Sequence, residues 1–309
     1  MERTSERTSL SPGVLGAIVL VTAIWGFNFI VIKIGVAGVP PLFLAALRFT
    51  LSAFPALFLV KRPAVALRLL AAYGLLLGVG EFGFLFTAMK LGAAPGVSSL
   101  ILQSQAFFTV LLAAWVLGEK IRVHSLVGMV IAGAGLALIA RESLGGSAAS
   151  ITIWPLSMVV AAAFFWAAAN IVAQKMPKAD GLSLMIWSSV FSPIPLFALS
   201  LVFERSSIAA SLAALRPISV GALAYLVIFS TLFGYGAWNQ LIMKHGAKKI
   251  APFSLLVPVF GVASSALVFH ERFTRLTAIA AILVLSGLAL HALGSAALTS
   301  AARGKGSAR

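Results

Sequence analysis

Residues 94–120 read APGVSSLILQSQAFFTVLLAAWVLGEK, and from Val97 to Leu117 the run holds no charged residue. An uncharged apolar run of that length crosses a bilayer as a helix. Near its middle stand Gln103, Ser104 and Gln105. Amides in hydrocarbon have no water to bond, so they require protein partners or a wet cavity. Charge returns at Gly118-Glu119-Lys120. Residues 251–272, APFSLLVPVFGVASSALVFHER, repeat the design, with Ala-Pro at the start and glutamate followed by a basic residue at the end. That echo predicts a membrane protein built from two related halves.

Composition agrees. Of the 309 residues, 61% are hydrophobic and 10% charged, and mean hydropathy is +1.06. Soluble domains are about 45–50% apolar and about 25% charged. A soluble chain of this composition would have to bury most of its length, which surface-to-volume scaling forbids. The net charge of +15 raises nucleic acid as a partner. No basic segment is long, however, and none is interleaved with aromatic residues, so nucleic acid is set aside. The chain has no cysteine, which excludes disulfides and thiolate chemistry. Residues 1–13 form a polar tail, and the apolar run after it is too long for a signal-peptide core.

Ten apolar segments follow one another, at about 14–36, 41–60, 70–90, 95–117, 123–140, 154–174, 183–203, 219–243, 250–270 and 274–297. Short connections favour antiparallel neighbours. A weak internal repeat links the halves. Trp25 and Trp166 are 141 residues apart, Asn28 and Asn170 are 142 apart, and Lys33 and Lys175 are also 142 apart. Glu119 and Glu271, which close the two echoing runs, are 152 apart. Each half has five helices, an odd number, so the second half enters from the opposite face. The expected fold is all-α and integral to the membrane, with ten transmembrane helices as two inverted five-helix repeats. Its parts are a tail at 1–13, a first repeat at 14–142, a linker at 143–153, a second repeat at 154–297 and a tail at 298–309.

The basic residues orient the chain. With a cytoplasmic N-terminus, fifteen of them fall inside and six outside or at the outer edge, while Lys33 and Arg48 lie within helices, which accounts for all 23. This positive-inside bias predicts both termini in the cytoplasm.

Glu81, in Gly78-Val-Gly-Glu-Phe-Gly83, is the only acidic residue deep inside a span. It must face the bundle interior, either paired or protonated, so it is a candidate for substrate binding, proton coupling or a structural ion pair. Arg48 is its expected partner. Counting from the outer ends of their helices at about 1.5 Å per residue, Arg48 is roughly 10 Å deep and Glu81 roughly 14 Å. The two are expected within salt-bridge reach, directly or through water. Lys33 is read as snorkelling to the outer surface. Gln103 and Gln105 diverge by about 200° around a helix, so one of them is expected to face a cavity. Asn28 and Asn170 fit either substrate-contacting amides or clamps between the halves. Trp25, Trp166, Trp187, Tyr235 and Trp238 supply aromatic surface for a pathway or for packing.

Other chemistries find no support. Gly78-x-Gly80-x-x-Gly83 has the letters of a dinucleotide fingerprint, but no strand precedes it and it lies within a span. Gly74-x-x-x-Gly78 reads as close helix packing. Pro55, Pro193, Pro195 and Pro258 are expected to kink or hinge their spans. No metal spacing, nucleophile–base set or paired acids point to an intramembrane enzyme. A channel would favour rings of polar residues, whereas two pseudo-symmetric halves suit alternating access. No cofactor is expected.

The features resemble the EamA-type family of the drug/metabolite transporter superfamily. The resemblance runs from Trp25-Gly26-x-Asn28 through Arg48-Phe49 to Glu119 and Glu271-Arg272. Within the family the chain is similar to the O-acetylserine/cysteine exporters, through Pro40-Pro41, Leu47-Arg48-Phe49, Phe82-x-Phe84-Leu85-Phe86, Gln105-Ala106-Phe107-Phe108-Thr109 and Ser254-Leu-Leu-Val-Pro258. The resemblance implies a multi-pass exporter of small metabolites in the bacterial inner membrane. Its partners would be a small-molecule substrate and the lipid bilayer, and it would act as a monomer or homodimer. The expected substrate site draws on Asn28, Arg48, Glu81, Gln103, Gln105, Trp166, Asn170, Tyr235 and Trp238. Export against a gradient needs an energy source, and the chain has no nucleotide-binding motif. A proton gradient with Glu81 as carrier is the expected driver.

Overall fold

A computed structural model describes residues 10–144, 153–177, 179–271 and 273–306. Most of the expected linker at 143–153, and the ends of both expected tails, lie outside the described residues. Nine helices among the described residues are long and apolar enough to cross a membrane, and a bent pair makes the tenth span. They are α1 (Pro12–Gly38), α2 (Pro41–Leu59), α3 (Leu67–Lys90), α4 (Pro95–Leu117), α5 (Val123–Glu142), α6 (Ile153–Gln174), α7 (Gly181–Ser189 with Pro193–Phe203, bent by 43°), α8 (Pro217–His245), α9 (Ala251–Phe269) and α10 (Arg275–Ala292). No strand occurs among the described residues. The helix of α10 continues to Gly306, so residues 298–306 of the expected tail are helical.

Proline punctuates the spans. Pro12, Pro41, Pro95, Pro193 and Pro217 all stand in the first turn of a helix, where the missing N–H costs nothing. Pro55 interrupts α2, and Pro193 restarts α7 after its bend. The polar centre of α4 is itself a break, because its helix ends at Leu102 and resumes at Gln105.

The packing is that of an inverted repeat. The principal contacts join α1 to α8 and α9, α6 to α3 and α4, α2 to α7, α4 to α9, and α5 to α10. Exchanging each helix for its counterpart five places along turns this set into itself. Small residues allow the closest approaches. A Cβ on Gly74 would collide with the Ser188 carbonyl, and one on Gly78 with the Ser192 hydroxyl, so α3 lies directly against α7. The Gly74-x-x-x-Gly78 stripe thus serves packing, and Ser192 Oγ donates to the Gly74 carbonyl at 2.8 Å. Gly128 and Gly287 bring α5 and α10 together in the same way.

At the face where α1 and α3 end, charged side chains cap helix termini. Lys33 Nζ donates to the carbonyls of Met89 at 2.7 Å and Ala93 at 3.3 Å. Lys90 Nζ returns the contact to Val36 at 2.7 Å and Ala37 at 3.4 Å. Lys33 thus extends toward the face where α1 and α3 end, and its ammonium is held there by the unpaired carbonyls at the end of α3. Glu204, at the end of α7, accepts the backbone N–H groups of Leu42 at 3.0 Å and Phe43 at 3.1 Å, capping α2. Glu271, after α9, accepts the Gly96 N–H at 3.3 Å at the start of α4 and also accepts from Ser265 Oγ. Both carboxylates belong to the second half and cap helices of the first.

Candidate transport site

In α3 the residues Leu76–Gly83 form a π-helical segment, and in α8 so do Leu226–Phe233. Their first residues are 226 − 76 = 150 positions apart and so are their last, making the two segments repeat counterparts. A π segment shifts the helix register by one residue and is frequent at functional sites. Glu81 lies in the first segment and Ser230 and Thr231 in the second. The offset of 150 makes Thr231 the counterpart of Glu81.

Arg48, on α2, joins the two segments. It is 1% exposed. Its Nε and Nη2 donate to Thr231 Oγ1 at 3.3 and 3.2 Å, and Nη2 also reaches Ser230 Oγ at 3.4 Å. The Thr231 hydroxyl itself donates a hydrogen bond to the Leu226 carbonyl at 2.8 Å, inside the π segment. Beneath the guanidinium lies Phe82, with Cζ 4.1 Å from the ring centroid, a cation–π contact. Arg48 Nη1 has no hydrogen-bond partner among the described residues.

Glu81 is 4% exposed, and its Oε2 also has no hydrogen-bond partner among them. Of the two expected forms of the contact with Arg48, direct or through water, the direct ion pair is not made among the described residues. The guanidinium is instead turned toward the hydroxyls of α8, which take up Nε and Nη2 and leave Nη1 unpartnered among the described residues. Arg48, Tyr73 and Tyr235 remain within electrostatic reach of the carboxylate. Beside them, Trp25 packs against Tyr235 and Trp238, with ring centroids 5.4 and 5.3 Å away, and its indole N–H donates to the Ser230 carbonyl at 3.0 Å. Asn28 is buried on α1, with Oδ1 unpartnered among the described residues.

A second polar group lies between α4 and α6. Asn170 Nδ2 donates to Gln105 Oε1 at 2.9 Å and Thr109 Oγ1 at 3.3 Å, so Asn170 clamps the two halves together. Gln103 is buried at the break in α4, and Trp166 packs on the central core. The nine residues singled out from the sequence thus divide. Arg48, Glu81 and Tyr235 form one electrostatic cluster, with Trp238 joined through Trp25. Gln105 and Asn170 form a separate clamp. A cavity of about 1060 Å³ lies between α2, α3, α6 and α7, lined by Leu42, Gly83, Thr87, Met158 and Glu204 among others, and none of the nine borders it. Ser230, Thr231 and Tyr73 escape a reading of the sequence. The repeat offset is the signal that leads to Thr231, while nothing in the apolar stretch 226–233 marks it by type.

Two inverted five-helix halves, with an arginine and a carboxylate buried where they meet, define a transporter architecture. The model of the EamA-like transporter family matches residues 12–141 and again 153–293. The chain belongs to that family. It is 41% identical over 291 residues to a probable amino-acid metabolite efflux pump of Escherichia coli K12, covering 93% of this chain and 96% of that one. A Salmonella typhimurium protein of the same name is 40% identical, covering 89% of this chain and 93% of its own. An uncharacterized transporter of Bacillus subtilis is 26% identical over 90% of this chain and 96% of its own. A solved crystal structure matches over 94% of this chain and 99% of that one, with a TM-score of 0.60 at 18% identity, a likeness of fold. The protein is a multi-pass membrane transporter.

Proposed function

We propose that this transporter exports small amphipathic metabolites from the cytoplasm by alternating access, foremost amino acids and derivatives such as cysteine and O-acetylserine. One observation carries the reading. A guanidinium N–H on Arg48 and a carboxylate oxygen on Glu81 are both buried and both without a partner among the described residues, and neither is used up by the other. An amino acid is a zwitterion, and it offers a carboxylate to the first and an ammonium to the second. The aromatic residues Trp25, Tyr235 and Trp238 flank these poles, and the names of the Escherichia and Salmonella relatives support the substrate class.

The same arrangement supplies a way to couple substrate to conformation. Arg48 belongs to the first half and its hydroxyl partners to the second. A substrate carboxylate that takes the guanidinium weakens the contact with Ser230 and Thr231, and so loosens the halves. Glu81 is the proposed proton carrier, protonated when substrate displaces its electrostatic support. Both termini are proposed to face the cytoplasm, with 14–142 and 154–297 as the moving repeats.

Counterflow in proteoliposomes tests the reading. Purified protein loaded with unlabelled substrate should accumulate labelled cysteine or O-acetylserine, and Arg48→Ala should abolish this. Counterflow of neither amino acids nor their derivatives, from protein that folds normally, would contradict the proposed substrate class.

A further inference from the structure

At the end of α4 opposite the lysine caps, Gly118 adopts a left-handed conformation with φ +69. That is the helix-ending conformation glycine permits, and it turns the chain sharply toward α5. The turn carries Glu119, Lys120 and Arg122 over a pocket of about 320 Å³ whose walls include Ser125 of α5, Gln174 at the end of α6 and His291 of α10. Ser125 is buried, and its Oγ lies 3.0 Å from His291 Nδ1. The lining holds two permanent cations against one carboxylate, which suits an anion.

The surroundings identify the anion. At the same ends of α4 and α5 as the pocket, Trp115 is 84% exposed, while Val123 and Leu126, the chain neighbours of the lining residues Arg122 and Ser125, are 77% and 54% exposed. In a membrane these side chains face lipid, and an exposed tryptophan beside basic residues marks the headgroup level. A free phosphate makes no use of that apolar flank, whereas a phospholipid lays its acyl chains along it. We propose that this pocket binds the phosphate of an anionic phospholipid of the leaflet that the charge distribution places toward the cytoplasm. Lys120 and Arg122 hold the phosphate, Ser125 and Gln174 offer it hydrogen bonds, and Val123 and Leu126 receive the chains, with Trp115 marking the headgroup level. The site is separate from Arg48 and Glu81. Thr109, which lines the pocket, also joins the clamp between Gln105 and Asn170, so the lipid sits next to the contact between the halves.

The test uses the whole purified protein in detergent, titrated with phosphatidylglycerol, phosphatidylcholine or inorganic phosphate while thermal unfolding is followed. Phosphatidylglycerol should stabilise it saturably, while phosphatidylcholine and inorganic phosphate at the same concentration should not. Lys120→Gln with Arg122→Gln should weaken the phosphatidylglycerol affinity about thirtyfold, the scale set by removing two juxtamembrane charges. Glu119→Gln should tighten it, a change that misfolding does not produce. Equal stabilisation by both lipids overturns the proposal, as does an unchanged affinity in the double variant or in Glu119→Gln. Saturation by inorganic phosphate alone overturns the lipid assignment and gives the pocket to a free anion.

Discussion

At the scale of single residues, Arg48 is held through Nε and Nη2 and leaves Nη1 free of protein partners among the described residues. Its partners are two hydroxyls, and hydrogen bonds to a charged group contribute about 1.5–3 kcal/mol each when buried. Thr231→Val keeps the volume and removes the hydroxyl that accepts from both Nε and Nη2. It should lower stability by roughly 1.5–3 kcal/mol, read as an earlier unfolding midpoint in detergent. Arg48→Lys should not rescue Arg48→Ala, because an ammonium lacks the planar fork that reaches Thr231 and Ser230 together. Glu81→Gln should fold and bind substrate yet lose its response to an imposed pH gradient. Transport by Glu81→Gln with an unchanged response would leave Glu81 a structural group. Sequence reading finds Arg48 and Glu81 because charge in an apolar span is conspicuous. It places them within salt-bridge reach, directly or through water, because charge complementarity is the only signal visible there, whereas the guanidinium turns to hydroxyls. Ser230 and Thr231 are small and lie more than 180 residues from Arg48 along the chain, and nothing in their own neighbourhood shows that a guanidinium needs them.

At the scale of elements, hydropathy locates the spans well because each crossing needs an uninterrupted apolar run. It does not reveal the π segments at Leu76–Gly83 and Leu226–Phe233. A π segment is one residue more in a turn and has no composition of its own, so only the fold exposes it. Close packing is legible where glycines recur, as in Gly74-x-x-x-Gly78. Gly74→Val should force α3 away from the Ser188 carbonyl of α7, and overpacking of this kind costs about 1–3 kcal/mol. The expected result is a lower yield of folded protein and an earlier unfolding midpoint. The same substitution at Gly221, where a Cβ would meet nothing within 4 Å, should leave both unchanged. An equal loss at the two glycines would remove the packing argument.

For the whole molecule, two halves related by inversion explain the odd number of spans in each, the matched π segments and the self-matching set of helix contacts. The echo of residues 94–120 in 251–272, with the recurring Trp, Asn and Lys, makes that symmetry legible in the amino-acid sequence itself. The direction of the chain rests on the basic residues. Reporter fusions after residue 309 and in the loop 61–69 should both read cytoplasmic, and a fusion in 141–153 should read outside. An outside signal from the C-terminus would contradict ten crossings. The central claim is that a substrate's carboxylate is received by Arg48 at the junction of the halves. It is tested most directly by competing labelled cysteine counterflow with unlabelled cysteine and with cysteine methyl ester, which keeps the amine and thiol but has no carboxylate. The account predicts that cysteine competes strongly and the ester weakly. Equal competition by acid and ester in the wild-type protein would contradict it.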